Sequence, residues 1–111
     1  VSRGLGDVYK RQGIGSWHDT NSLCENTNHE GYTDWRLPSL DELATIYTIS
    51  DIIGGFSKSK YWSNLENSKY DGDRYYDDYY YWTIDFNSGT RDAYGRGGID
   101  RFHARCIRTL K

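Results

Sequence analysis

The sequence predicts an α+β domain in which helices come first and a mainly antiparallel sheet follows. Apolar residues recur at helical spacing only in the first half, where Leu40, Leu43, Ile46, Tyr47 and Ile49 follow a Ser39-x-x-Glu42 capping signature. After Lys60 the period falls to two, with Tyr80, Trp82, Ile84 and Phe86 on one side of an extended run. Asn87-Ser88-Gly89 then supplies the turn chemistry of a hairpin. Helices segregated from an antiparallel sheet define the class.

Taken in order, residues 1–12 (VSRGLGDVYKRQ) are polar, glycine-interrupted and aperiodic, so they read as a poorly ordered tail, with a short strand around 7–9 as the alternative. They resemble translated sequencing-adapter sequence, which makes them a non-native stretch and places the domain at 13–111. A first helix starts after Ser16 as cap, with Asp19 at the third position and Trp17, Leu23 and Cys24 on a buried side. The second runs from the Ser39 cap through Ile49, and residues 51–59 read as a loop. Strands are expected at 61–65, 79–86, 90–94 and 101–109, with polar or glycine-rich connections at 66–78 and 95–100. The expected core is Trp35, Leu37, Leu43, Trp62, Trp82, Ile84 and Phe86. Tyr79, Tyr81, Thr83 and Asp85 take the opposite, wet face of their strand, and Arg101, His103 and Arg105 the wet face of the last one.

A chain of 111 residues buries about 65% of its unfolded surface. With 36% apolar residues but 11 Tyr, 4 Trp and 3 Phe, its core must be built on rings. The net charge of −2 and the lack of a Lys/Arg-dense stretch argue against a nucleic-acid partner. No apolar run approaches the roughly 20 residues of a membrane span, so membrane insertion by this segment is not expected. The absence of Met marks the chain as a fragment or a processed domain. Cys24 and Cys106 lie far apart; bridged, they would stabilise the fold by about 4 to 5 kcal/mol and point outside the cytosol, and the alternative is two buried thiols.

The chemistry-bearing residue types form no local catalytic set. His18, His29 and His103 lack metal-ligand spacing to Cys, Asp or Glu, Gly-x-Ser-x-Gly is absent, and the glycines at 13–15 and 95–98 lack the strand-glycine-helix context of a phosphate cradle. No metal or cofactor is expected. Asp71, Asp73, Asp77 and Asp78 read as a solvated acidic loop rather than a cation site. Tyrosine interleaved with Asp, Asn, Ser and Gly has the composition of binding loops, where the ring offers rigid amphipathic area at small entropic cost. The candidate ligand-binding surface is therefore Tyr75, Tyr76, Tyr79, Tyr81 and Asp85 with Asp77 and Asp78. Its rival is Arg101, His103 and Arg105, supported by Arg91, Arg96 and Arg108, which suits a sulfated glycan.

Trp17 and Cys24, then Gly31-Tyr-Thr-Asp-Trp-Arg-Leu-Pro-Ser39 running into Asp41-Glu-Leu43, Tyr61-Trp-Ser63 with Glu66, Trp82 with Phe86 and Gly89, and Arg105-Cys-Ile-Arg108 together resemble the Lcl C-terminal domain family. The resemblance implies a C-type-lectin-like fold and a disulfide from first helix to last strand, hence Cys24 to Cys106. It also implies an extracellular, cell-surface or periplasmic location and an adhesive role, some members binding sulfated glycans. Related folds serve as diversified receptors whose variable residues cluster near the C-terminus. Two departures stand out: the family's N-terminal strand is replaced by the adapter-like tail, so the first strand is expected to be missing, and the Glu-Pro-Asn and Trp-Asn-Asp calcium-lectin signatures are absent. The expectation is a non-enzymatic recognition domain for a protein or glycan. The alternatives are a degenerate enzyme of the related formylglycine-generating fold, which would need a reactive thiol, and a purely structural module of a larger surface protein.

Overall fold

The structure, a computed structural model, describes residues 7–29, 31–66, 80–95 and 101–108. Three helices and five strands lie among them: β1 (Asp7–Gly15), α1 (Trp17–Glu25), α2 (Leu40–Thr48), α3 (Ser50–Ile53), β2 (Lys60–Glu66), β3 (Tyr80–Asp85), β4 (Arg91–Gly95) and β5 (Phe102–Arg108). The strands form one mixed sheet in the order β1-β5-β2-β3-β4, antiparallel except where β2 meets β5 at Tyr61 and His103. This is an α+β fold. None of the helices is long and apolar enough to cross a membrane.

Both expected helices start where their caps predict. Ser16 Oγ accepts from Asp19 N at 3.2 Å. At α2 both arms of the capping box form, Glu42 N donating to Ser39 Oγ (3.1 Å) and Ser39 N to Glu42 Oε1 (2.8 Å). The Arg36 guanidinium adds a two-pronged contact to the Glu42 carboxylate at 2.8 and 2.9 Å, and chiefly for that reason holds it below the usual carboxylate range. Backbone bonds of 2.8 Å in both directions between Arg36 and Ile107 fasten this helix start to β5.

Alternation along the strands divides the core into two clusters, one on each face of the sheet. Tyr61 and Trp62 are neighbours in β2 and must point to opposite sides. Tyr61 joins Leu43, Ile46, Ile84, Phe86 and Ile107 under α2, while Trp62 joins Trp17, Cys24, Trp35, Leu37, Ala104 and Cys106 under α1. The indoles find acceptors across the layers: Trp17 Nε1 donates to Ser63 O at 2.8 Å and Trp62 Nε1 to Gly15 O at 3.0 Å. The disulfide between Cys24 and Cys106 joins α1 to β5 across 82 residues of sequence, with Cα atoms 5.4 Å apart. Its oxidising chemistry is compatible with an extracellular location.

Four expectations are corrected. The stretch read as tail with a missing first strand carries β1, which pairs with β5 from Asp7 opposite Arg108 to Gly15 opposite Phe102. Its glycines disguised it: a Cβ at Gly13 would collide with Leu23 Cδ2, and one at Gly15 would lie 3.1 Å from Asp19 Cβ, so they mark where α1 packs close on a strand rather than a loop. A helical turn, α3, stands inside the expected loop at 51–59. On β5 the alternation holds, but the expected wet face is covered as well, by the Gly54–Phe56 segment, and Arg105 is only 1% exposed. On β3, Trp82 is half-buried while Thr83 of the expected wet face is fully buried; the other six expected core residues are buried.

Candidate ligand-binding site

One end of the sheet gathers the starts of β2, β4 and β5 with the end of β3, and a cleft of about 330 Å³ opens there. Lys58, Ser59 and Lys60 line it from the approach to β2, Asp85 and Asn87 from the β3–β4 turn, and Arg101, Phe102 and His103 from β5. Register builds this arrangement. Lys60 pairs with Asp85 across β2 and β3, so their side chains emerge on the same face, the one that also carries Trp62, Thr83 and Tyr81.

The turn after β3 fixes Asp85. Its Oδ1 accepts from Asn87 N at 2.8 Å and its carbonyl from Gly89 N at 2.6 Å. Gly89 closes the turn at φ 81°, and the Tyr47 ring lies 3.2 Å from where a Cβ would stand, so conformation and space both call for glycine. Asp85 Oδ2 is left facing Lys60 Nζ at 3.9 Å. The ammonium also lies 5.7 Å from the centroid of Phe102 and 5.9 Å from that of Tyr94. Arg101 reaches Asp19 of α1 at 3.9 Å from an exposed position.

His103 is half-buried, its ring 5.3 Å from that of Tyr61. Burial lowers its pKa, and Nδ1 is shielded with no hydrogen-bond partner among the described residues. The imidazole is therefore neutral at neutral pH. Three cations, Lys58, Lys60 and Arg101, then face one carboxylate, Asp85, among the lining residues. The lining thus carries more cations than carboxylates, although Asp19 of α1 stands beside Arg101, and Phe102 gives it an aromatic wall.

The structure divides the two candidate surfaces differently from the sequence reading. Tyr75, Tyr76, Asp77, Asp78 and Tyr79 lie outside the described residues. Tyr81 lies flat on Trp17, with centroids 3.7 Å apart and planes 8° from parallel, and pairs with Tyr94 of β4; it is half-buried rather than open. Asp85 of that set instead shares the cleft with Arg101 and His103 of the rival set. Arg105 does not join them: its guanidinium lies 4.2 Å over the Phe56 ring and donates to Gly54 O at 3.2 Å, where desolvation lowers its pKa. Nor does Arg108, whose Nε donates to Asp34 Oδ1 at 2.9 Å with the guanidinium 3.6 Å over Tyr32. Arg91 is exposed on β4, and Arg96 lies outside the described residues.

Lys58, Ser59, Lys60, Asn87 and Phe102 escaped the sequence reading. The only trace was local: two lysines two apart immediately before a strand whose partner strand ends on an aspartate. The family model described as Lcl C-terminal domain matches residues 6–108. No curated protein matches the chain.

Proposed function

The chain belongs to the Lcl C-terminal domain family, a surface-associated family, and from that premise we propose that it is a non-catalytic recognition domain working outside the cytosol. Its ligand is a protein or glycan bearing acidic groups. The observation that carries this reading is the cleft itself, where Lys58, Lys60 and Arg101 outnumber the lone Asp85 beside the ring of Phe102. Charge-assisted hydrogen bonds from a guanidinium and two ammonium groups suit a carboxylate or sulfate. The half-buried rings of Tyr81, Tyr94 and Phe102 continue from the cleft along the same face, packed against the cluster under α1.

A C-type-lectin-like fold is part of the proposal and is supported by the disulfide from first helix to last strand. The reading without covalent chemistry draws support from the same bond, because it engages both thiols that a formylglycine-type enzyme would need. Binding of the intact domain to an array of acidic glycans, neutral glycans and acidic peptides tests the function. Acidic probes retained by the wild type and lost by Lys58→Ala/Arg101→Ala support it. Retention of neutral probes alone places recognition elsewhere, and binding to no probe favours the structural module.

A further inference from the structure

The Lys60 ammonium sits at the outer limit of three attractions at once. Its Nζ is 3.9 Å from Asp85 Oδ2, 5.7 Å from the Phe102 centroid and 5.9 Å from the Tyr94 centroid. Ion pairing is counted to about 4 Å and cation–π attraction to about 6 Å, so a primary ammonium fills this space loosely. The two rings meet edge to face, 4.7 Å apart and inclined at 64°, and make two walls of one corner. Asp85 closes the third side, held in place because its other oxygen accepts from Asn87 N. The corner opens on the cleft, which Lys60, Asp85 and Phe102 also line.

We propose that Asp85, Tyr94 and Phe102 form a subsite for a quaternary ammonium group, filled here by the chain's own Lys60. Aromatic walls with a carboxylate are the chemistry that recognises such a group, because the ring quadrupole attracts a bulky cation whose charge is spread over its methyl groups. The Lys60 ammonium is instead a compact, strongly hydrated charge on a flexible stem. Its side chain keeps 29% exposure, so it can swing into the cleft when displaced. The proposal stands apart from the acidic-ligand reading, because its probe carries no acidic group.

The experiment is an NMR titration with tetramethylammonium chloride, using tert-butanol as the uncharged control of similar shape. Lys60→Ala is expected to bind the cation saturably and at least roughly tenfold tighter than the wild type, with no binding of tert-butanol. In that background Asp85→Asn keeps an oxygen for Asn87 N but removes the charge, and is expected to weaken binding by roughly tenfold or more. In the unaltered protein, ring currents from Tyr94 and Phe102 should shift the Lys60 Hε protons upfield, and the cation should reverse that shift. The last measurement decides the matter even if Lys60→Ala does not fold. Absence of saturable binding in a folded Lys60→Ala, equal affinity in the wild type, equal binding of tert-butanol, or Lys60 resonances that the cation does not move would each overturn the proposal.

Discussion

Trp17 and Tyr81 are stacked, ring on ring, at 3.7 Å, which locks the first turn of α1 to the start of β3. The same indole donates to Ser63 O of β2 at 2.8 Å, so one side chain ties three elements. Trp17→Ala is expected to cost about 3 to 5 kcal/mol in urea unfolding. A loss below about 1 kcal/mol would show that the stack is incidental. Tyr81→Ala weakens the same stack, so any effect of that variant on binding has to be separated from its effect on folding.

The disulfide is expected to stabilise the fold by about 4 to 5 kcal/mol, because it removes loop entropy over 82 residues of the unfolded chain. Unfolding in denaturant with and without reductant measures this. Curves that superimpose would mean that the two ring-based clusters suffice alone.

Stability should fall in acid through two groups. The folded state holds Glu42 below its ordinary range through Arg36, so this stabilisation is present above the unfolded carboxylate value near 4.3 and is lost as pH falls through the folded value. Burial lowers the His103 pKa, so the unfolded imidazole binds protons more readily. That loss starts as pH drops through about 6.5. His103→Gln should flatten thermal stability between about pH 7 and 5 and leave the steeper fall below it; Glu42→Gln should do the reverse. An unchanged profile for His103→Gln would contradict the neutral assignment.

Arg105 is buried, with its guanidinium over Phe56 and bonded to Gly54 O, so it is expected to act on stability rather than on ligand contact. Arg105→Ala leaves Gly54 O without this donor and opens a cavity beside Phe56, which should cost roughly 2 to 4 kcal/mol. Under conditions where the variant stays folded, its affinity for acidic probes should match the wild type. A loss of affinity without a loss of stability would restore Arg105 to the binding surface.

What the sequence revealed and what it hid follow from the range of the interactions. The Ser39–Glu42 capping box is decided within four residues, and the alternation that sets Phe102, Ala104 and Cys106 against His103 and Arg105 within one strand, so both were legible. Whether the second face of β5 meets water depends on Phe56 and Gly54, roughly fifty residues away, which local pattern does not encode. β1 was hidden because its partner is at the other end of the chain and its glycines serve contacts with α1. The cleft was hidden for the same reason. It is assembled from three segments, around Lys60, Asp85 and Arg101, each of which alone reads as an ordinary polar strand end.

Recognition of acidic groups by the cleft is tested by titrating the intact domain with a heparin octasaccharide at two ionic strengths. Lys58→Ala/Arg101→Ala is compared with the wild type and with Arg105→Ala. Wild-type affinity should fall steeply with added salt, and the double variant should lose roughly tenfold or more at low salt and show a flatter salt dependence. Affinity unchanged in Lys58→Ala/Arg101→Ala would contradict it.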